Sequence, residues 1–261
     1  MKNKLLDLID FGYSQAMSCI FPVVIFAALA ITKWLPVPGM ARYDVILIIC
    51  LLTQILMVVF RLETIDELKV ICVFHIIGLC LELYKVHMGS WSYPEAAWSK
   101  IGGVPLYSGF MYASVASFMC QSWRRLQLRI TNWPKSYWAL GISLAIYLNF
   151  FTHHYIWDMR WLLTGALVII FWRSKVWYSV RDHTYKMPLV LSFLLIGFFI
   201  WIAENISTLF GAWTYPNQQQ AWQMVHIGKI SSWFLLVVIS LIIVAQLKRL
   251  KSGAAEKGIS A

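Results

Sequence analysis

Charged side chains are scarce in this chain, and their scarcity excludes an ordinary soluble protein. Only 13% of the 261 residues are Asp, Glu, Lys or Arg, whereas soluble domains carry about 25%. Acidic residues are the rarer sign, with 12 Asp and Glu against 22 Lys and Arg. Hydrophobic residues make up 60% of the chain, and its mean hydropathy is +0.66. This composition predicts an integral membrane protein.

Several sequence motifs are missing, and each absence removes a class of function. No two of the five cysteines are spaced as C-x-x-C, which argues against a dithiol or zinc pair. The chain has no Gly-rich phosphate loop, no dinucleotide fingerprint, no serine nucleophile elbow and no H-E-x-x-H. These absences argue against ATP-driven transport by this chain alone and against zincin-type proteolysis. No nucleic-acid motif accompanies the net charge of +10, and no pattern predicts a particular cofactor or metal.

Long apolar segments predict the fold class. A transmembrane helix needs about 20 mostly apolar residues, and eight segments are candidates. The sixth is the shortest and needs Met159 and Arg160 at its outer end. The sequence therefore predicts an all-α polytopic membrane protein with about eight transmembrane helices. The eight predicted spans are residues 14–35, 45–60, 68–87, 103–123, 136–157, 161–172, 187–203 and 230–247.

The distribution of basic residues predicts the orientation. With eight spans and both termini inside, only six of the 22 Lys and Arg residues fall on the outer side. Cytoplasmic loops are enriched in Lys and Arg, so this bias predicts a plasma (inner) membrane protein with cytoplasmic termini. Membrane lipids, and not nucleic acid, are the partners that the basic charge indicates. The six outer residues are Lys33, Arg42, Lys85, Lys100, Arg160 and Lys229.

One short pattern occurs twice in the chain. Five residue types recur at a constant offset of 122 residues: Glu82, Gly89, Trp91, Tyr93 and Pro94, then Glu204, Gly211, Trp213, Tyr215 and Pro216. Because the offset spans four predicted helices, an even number, both copies face the outer side of the membrane. The pattern predicts two parallel four-helix repeats related by an axis along the membrane normal.

The predicted repeats set the domain organisation. We expect a single transmembrane domain over residues 1–261, with repeat 1 at about 12–123 and repeat 2 at about 136–248. Residues 249–261 are expected to form a flexible cytoplasmic tail. The tryptophans and tyrosines of both motifs also suit an interfacial aromatic belt. A belt does not account for their identical spacing to a glutamate.

Glu82 and Glu204 are the main candidates for catalytic residues. With a rise of about 1.5 Å per residue, each lies about 10 Å inward of the glycine that ends its helix. A carboxylate at that depth must pair, bind a proton or face a hydrated cavity. Pairing alone, with no chemical role, remains the alternative.

His75 is a third catalytic candidate. It lies seven residues before Glu82, and therefore on the same stripe of the predicted helix. An imidazole on the stripe of an intramembrane carboxylate suggests a proton relay or a polar pocket. A hydrogen bond to a neighbouring helix is the structural alternative.

The outer end of the predicted fifth helix is rich in polar residues. His154 and Asp158 are four residues apart and would share a helical face. Such a pair supplies two metal ligands, which is too few for a metal site by itself. A substrate-binding role and ordinary interfacial hydrogen bonding are the alternatives. The predicted substrate-binding residues are Asn149, His153, His154, Asp158 and Arg160, together with Trp91, Tyr93, Trp213 and Tyr215 of the repeated motif.

Several segments resemble the YoaT-like family of bacterial multi-pass membrane proteins of unknown function. They are the motif at 89–95 (GSWSYPE), the segment 102–109 (GGVPLYSG) and the segment 153–161 (HHYIWDMRW). The resemblance implies a membrane location but no activity. The acidic residue near a helix end, followed by Gly, aromatics and Pro, is also distantly similar to polytopic carotenoid cyclases and hydratases. The adjacent acidic pair of those families is absent, because Glu95 has no acidic neighbour.

Three classes of function remain open. The preferred hypothesis is an enzyme that modifies an isoprenoid-like or other lipid in the outer leaflet, with Glu82 and Glu204 as acid and base. A transporter or channel for a small solute is the second class, and it requires a polar path to the cytoplasm. A non-catalytic accessory protein is the third, and in it both glutamates would only stabilise packing.

Overall fold

The computed structural model describes the backbone of residues 2–258 and the side chains of residues 4–245, and the chain is mostly helical. The described part contains nine helices. They are α1 (Lys2–Ser18), α2 (Ile20–Trp34), α3 (Arg42–Val59), α4 (Ile65–His87), α5 (Tyr107–Arg125), α6 (Ser136–Thr152), α7 (Arg160–Phe171), α8 (Leu189–Leu209) and α9 (Lys229–Gly258). The predicted tail, residues 249–261, lies outside the residues whose side chains are described.

Several helices have the length and composition of membrane spans. Within the described residues, α3, α4 and α8 are long and apolar enough to cross a bilayer. Helices α1 and α2 together also pass that test, but they are bent by 62° where they meet at Cys19. The prediction of a mostly helical chain with membrane-spanning segments is confirmed at this level.

Two predicted spans have different boundaries in the structure. The span predicted over 14–35 is broken at Cys19, so a bent helix pair replaces a single rod. The span predicted over 136–157 ends at Thr152, and residues 153–159 form a loop. That loop is closed by side-chain hydrogen bonds from Asn149, which an extended helix would not allow.

Short strands correct the purely helical prediction. Strands β1 (Lys100–Ile101) and β2 (Val104–Pro105) form a hairpin whose two-residue turn, Gly102 and Gly103, has positive φ angles of 56° and 82°. A three-stranded sheet is ordered β3 (Arg129–Thr131), β4 (Lys175–Val180) and β5 (His183–Pro188). Strands β3 to β5 lie in the connections before the predicted span 136–157 and after the predicted span 161–172, where the sequence predicts no strand. The β-branched and aromatic residues of β3 and β4, such as Ile130, Val176 and Trp177, favour strands.

The chain divides into two compact units. Unit 1 comprises Met1–Leu128, Ser179–His183 and Trp201–His226, and unit 2 comprises Arg129–Tyr178, Thr184–Ile200 and Ile227–Ala261. Both repeated motifs therefore belong to unit 1. The repeat boundaries predicted from the sequence stay a prediction.

The core of unit 1 lies among helices α2 to α5. Phe21, Leu29, Tyr43, Ile46 and Tyr107 are fully buried there. Helix α4 packs along α5, and glycines allow the close approach. A Cβ on Gly78 would lie 2.4 Å from the Tyr112 ring, and one on Gly109 would lie 2.7 Å from the His75 ring. Large rings therefore occupy the space of two absent side chains.

Unit 2 is held together by helices α6, α7, α9 and the first part of α8. Ile146, Leu167 and Phe171 are fully buried. Helix α8 approaches α9 closely at Gly197, where a Cβ would lie 2.9 Å from the backbone nitrogen of Phe234. A glycine is required at that crossing because the obstructing atom belongs to the backbone and cannot rotate away.

Candidate functional site

The helices that carry the two glutamates end in the same way. Gly89 and Gly211 have positive φ angles of 68° and 72°, and each follows the last turn of its helix. The next residue donates its backbone N–H five residues back, from Ser90 to Lys85 and from Ala212 to Ser207. This is the Schellman cap, in which glycine accepts the left-handed conformation. The repeated glycines therefore start two similar turns.

The two turns pair with each other. Ser92 and Thr214 form an isolated antiparallel bridge, with reciprocal N–H···O hydrogen bonds of 3.0 and 2.9 Å. These residues are 122 apart, so the bridge joins positions that the repeated pattern makes equivalent. The Trp91 ring meets the Tyr215 ring edge to face, at 5.9 Å between centroids. Residues from both motifs thus form one aromatic cluster.

Glu82 accepts three hydrogen bonds inside this cluster. Its Oε2 accepts from the Trp91 indole N–H at 2.7 Å and from the Tyr93 hydroxyl at 2.8 Å, and its Oε1 accepts from the Tyr112 hydroxyl at 2.8 Å. Glu82 is only 3% exposed, and Lys85 on the same helix is also buried. Three donors can stabilise a negative charge that solvent does not reach.

Glu204 is held by the matching tyrosine of the second motif. The Tyr215 hydroxyl donates to Glu204 Oε1 at 2.5 Å, and Glu204 is 2% exposed. The separation of eleven residues equals that between Glu82 and Tyr93. Tyr112 and Tyr215 each lie within electrostatic range of both carboxylates. The structure therefore brings the two predicted glutamates together, along with Trp91, Tyr93 and Tyr215.

The tyrosines of the two turns remain protonated donors. Burial, and then the adjacent carboxylate, raises the pKa of Tyr93 and of Tyr215 well above the usual range. The Trp213 side chain is 8% exposed and belongs to the same core cluster. Each motif thus supplies a phenol that donates to its own glutamate.

Tyr112 is a member of this site that sequence reasoning missed. It lies outside the repeated motif, and the position 122 residues later is Phe234. Its ring crosses α4 directly over Gly78, which places its hydroxyl on Glu82 one turn away. The glycine four residues before a buried glutamate was the available signal, because a helical glycine often marks a close approach of another group.

His75 lies on α4 seven residues before Glu82, as predicted, and its imidazole faces α5. Its imidazole packs on Gly109 and meets the Phe110 ring at 4.5 Å between centroids. Its Nδ1 is buried without a hydrogen-bond partner among the described residues. The side chains that contact Glu82 and could tune it are Trp91, Tyr93 and Tyr112. Two helical turns, or about 10 Å of rise, separate His75 from Glu82.

A cavity of about 330 Å³ opens beside the motif turns in unit 1. Its wall includes Glu95, which follows the first motif, and Gly211, which begins the second. Arg42 lines it and donates to Glu95 at 2.5 Å and to the Phe210 carbonyl at 2.5 Å. A guanidinium at the carbonyl end of α8 complements the helix dipole. Neither Glu82 nor Glu204 is among the lining residues.

The polar residues after α6 form a closed loop in unit 2. Asn149 donates to Asp158 at 3.2 Å and accepts from the Met159 N–H at 3.0 Å, while Arg160 pairs with Asp158 at 2.6 Å. Burial opposes ionisation of Asp158, but hydrogen bonds from Asn149 and Arg160 outweigh it and lower its pKa. His153 contacts the Asn149 carbonyl.

These contacts correct the predicted shared face of His154 and Asp158, because residues 153–159 are not helical. His154 and Asp158 therefore do not present two metal ligands on one helical face. Among the described residues, no cluster of three or more His, Cys, Asp or Glu side chains could hold a metal ion.

The connection between α3 and α4 contains a buried carboxylate, Glu63. Glu63 is 2% exposed and accepts hydrogen bonds from Gln54 at 2.6 Å and from Ser117. Arg61 and Asp66, two and three residues away in the chain, are charged and exposed, so the composition of this segment concealed the burial of Glu63. The amide and hydroxyl donors come from α3 and α5, which only the tertiary packing brings together.

A disulfide tests the pairing of the turns. The Cα atoms of a reciprocally hydrogen-bonded antiparallel pair lie about 5.5 Å apart, within the range that a disulfide spans. We expect Ser92→Cys with Thr214→Cys, in a background without the five native cysteines, to cross-link nearly completely under mild oxidation. Mass spectrometry of the linked peptides would identify the bond. Each single variant is the control, and absence of the linked peptide in the double variant would contradict the pairing.

Comparisons with known proteins identify a family and relatives that are similar to this chain. A family model described as "Protein of unknown function (DUF817)" matches residues 7–241. The uncharacterized protein YoaT of Bacillus subtilis (strain 168) is 60% identical over 251 residues, which cover 96% of this chain and 95% of that protein. A crystal structure of a cross-linked MvINS trimer matches with a TM-score of 0.50 at 14% identity, covering 72% of this chain and 97% of its own. The last match shows a likeness of fold alone.

Proposed function

Because this chain belongs to the YoaT-like DUF817 family, whose function is unknown, we propose an activity from its own geometry. It is an integral membrane enzyme that modifies an isoprenoid-like or other lipid by acid–base chemistry. The observation that carries this proposal is the pair of buried carboxylates, Glu82 and Glu204, joined through one aromatic cluster. Intramembrane ionisable residues mark functional sites by default.

The two carboxyl groups take different roles. Glu82 is the base, because its three donors stabilise the ionised form. Glu204 is the acid, and it delivers its proton to an alkene carbon of the lipid. The resulting carbocation loses a proton from the neighbouring carbon to Glu82, so the double bond moves and no other reactant is consumed. Proton transfer from Glu82 back to Glu204 completes the cycle.

The aromatic side chains give this chemistry its environment. The faces of Trp91 and Trp213 stabilise a passing positive charge through cation–π attraction. Tyr93 and Tyr215 hold the two carboxylates in position. Because both glutamates are nearly inaccessible, the lipid enters when the turns that meet at Ser92 and Thr214 separate. The mechanism does not use the polar loop of unit 2, which is closed by hydrogen bonds of Asn149, His153, Asp158 and Arg160. His154 in that loop contacts the His153 ring.

The proposal includes the finer topology. The chain crosses the plasma membrane eight times, with both termini cytoplasmic and two parallel four-helix repeats. Support comes from the helices found within all eight predicted spans, from the excess of basic residues on one side, and from the bridge between equivalent positions of the two motifs. Helix α5 is rich in Ser and Tyr, but its central position in unit 1 shields those residues from lipid.

Substitution of both glutamates by glutamine tests the proposed chemistry. Glutamine keeps the shape and one acceptor but cannot exchange the proton, so we expect the conversion to fall by at least about 100-fold. The measurement compares lipid extracts of cells that produce the native chain with those of cells that produce Glu82→Gln with Glu204→Gln. A lipid species made only by the native chain is the expected result.

A matched variant separates chemistry from folding. Glu67→Gln alters a carboxylate that caps the start of α4 and pairs with Arg124, and we expect its lipid extract to match that of the native chain. Equal amounts of each protein in the membrane fraction are the condition for comparison. Identical lipid extracts from cells that produce the native and the doubly substituted protein would contradict the proposed reaction. A change in stability alone would favour the accessory role.

One observation favours transport as the second candidate function. Gln54, Glu63, Ser117 and Gln121 form a buried polar cluster that the sequence did not reveal. A transporter needs polar groups at both ends of its helices, and this cluster lies toward the opposite end of α5 from Tyr112. Proton uptake by proteoliposomes containing the native chain, absent from empty liposomes, would support transport over lipid chemistry.

A further inference from the structure

Glu63 is a buried acid that the proposed reaction does not use. It lies in the turn between α3 and α4, where its backbone N–H donates to the Met57 carbonyl. Its Oε2 accepts from Gln54 Nε2 at 2.6 Å, and its Oε1 accepts from the Ser117 hydroxyl. Gln121 in turn donates to the Ser117 oxygen at 3.4 Å. The carboxyl group is thus enclosed by side chains from two helices.

Two charged groups act on this carboxyl. Burial raises the pKa of Glu63, hydrogen bonds from Ser117 and Gln54 lower it, Glu67 raises it and Arg124 lowers it, and the net direction is upward. The Arg124 guanidinium is itself engaged, since it pairs with Glu67 at 3.1 Å and donates to the Leu62 carbonyl. Its charge is therefore shared and does not neutralise Glu63 alone.

The amide of Gln54 has an unused acceptor beside the carboxyl. Gln54 is 8% exposed, and its Oε1 is buried without a hydrogen-bond partner among the described residues. With Glu63 ionised, Gln54 donates its N–H₂ to the carboxylate, as observed. With Glu63 protonated, rotation of the amide by half a turn presents Oε1 to the carboxylic O–H. One side chain can therefore satisfy Glu63 in both protonation states.

We propose that Glu63 is a reversible proton-binding site, formed by Gln54, Ser117 and the turn between α3 and α4. The bound species is a proton, which adds to a carboxylate oxygen and is stabilised by the Gln54 amide oxygen. The site stands apart from Glu82, because most of α4, about 25 Å of helical rise, separates the two carboxyl groups. It does not depend on the proposed lipid chemistry, and it provides an acid toward the other end of the α4–α5 pair.

Infrared spectroscopy of the full chain in lipid nanodiscs tests the site. The absorption of protonated carboxyl groups should appear as the pH falls, at a pH above the ordinary glutamate value of 4.5. Glu63→Gln should remove that component of the pH-difference spectrum. Asp66→Asn, which changes an exposed carboxylate near the start of α4, should leave it in place. Superimposable difference spectra from the native chain and Glu63→Gln would overturn the proposal.

Ser117→Ala provides a second and milder test. Loss of the hydroxyl removes a donor that stabilises the ionised form, so the titration of the same absorption should move to higher pH. This variant keeps Glu63 and Gln54 in place, and it serves if Glu63→Gln does not fold. A titration that stays at its native pH in Ser117→Ala would contradict the arrangement. These infrared titrations test proton binding at Glu63 only. The proposed lipid reaction is tested separately, by the lipid extracts of the variant with Glu82→Gln and Glu204→Gln.

The thermal midpoint gives an independent readout. An acid whose folded pKa is raised contributes stability that is complete below the ordinary glutamate pKa and is lost as the pH rises through the raised value. The thermal midpoint of the native chain should therefore fall as the pH rises from the ordinary glutamate pKa to the raised one. Glu63→Gln, which stays neutral, should lose measurably less. Parallel midpoint curves for the two proteins would count against proton binding at Glu63.

Discussion

Replacement of Glu82 by alanine should destabilise the protein by about 3 kcal/mol or more, because it leaves three buried hydrogen-bond donors without their acceptor. The Trp91 indole and the hydroxyls of Tyr93 and Tyr112 all donate to this one carboxylate. Each buried donor left unsatisfied costs about 1–3 kcal/mol, and the cavity adds to that cost. Chemical denaturation of the purified protein in detergent would measure the loss.

Two further variants serve as controls for Glu82→Ala. Glu82→Gln keeps an acceptor for the surrounding donors, so its loss should be clearly smaller than that of alanine. Asp66→Ala removes an exposed carboxylate near the other end of the same helix, and surface changes of this kind usually stay within about 0.5 kcal/mol. A loss for Glu82→Ala no greater than that of Asp66→Ala would show that the three hydrogen bonds do not hold the site together.

A methyl group on Gly78 should cost about 1–3 kcal/mol, the range for overpacking a tight core. The added Cβ would lie 2.4 Å from the Tyr112 ring and 2.6 Å from its Cβ. The latter atom is fixed to the backbone and cannot rotate away, so α4 and α5 must separate. The separation also withdraws the Tyr112 hydroxyl from Glu82. The same denaturation measurement in detergent would report the loss.

Matched glycines provide the controls for Gly78→Ala. Gly141 and Gly165 lie within helices and have no atom within 4 Å of an added Cβ. Alanine at either position should be neutral or stabilising by up to about 1 kcal/mol, because alanine favours helix more than glycine does. Combining Gly78→Ala with Tyr112→Ala should relieve most of the overpacking. An equal penalty in the presence and absence of the Tyr112 ring would contradict the proposed contact.

The extent of successful prediction differs between elements. The spans α3, α4 and α8 could be predicted from the sequence, because a membrane span needs a continuous apolar segment of sufficient length. The bend at Cys19 did carry a local signal, because Pro22 cannot donate a hydrogen bond to the Ser18 carbonyl and its ring crowds that carbonyl. The apolar run that continues across the bend concealed this signal. The strands β3 to β5 were missed for another reason. Their β-branched and aromatic residues occupy only short segments, and the basic residues among them are typical of connecting loops.

The candidate site divides along similar lines. Glu82, Trp91, Tyr93, Glu204 and Tyr215 were found because the repeated pattern identifies them through spacing alone. Contacts between residues from different helices carry no such signal. The predicted role of His75 followed from its position on the same face of α4 as Glu82. That position does not determine which residues of α5 its side chain contacts. Glu63 was overlooked because burial depends on the helices that surround it.

The sequence by itself determined that this chain is a mostly helical membrane protein of the YoaT-like family, and that one motif with a glutamate occurs twice. Apolar length and residue spacing are local properties, so they can be read along a single chain. Only the tertiary structure decided that Ser92 pairs with Thr214, that Tyr112 crosses Gly78 to reach Glu82, and that Glu63 is enclosed. Those contacts join residues distant in sequence, and close packing between helices selects them.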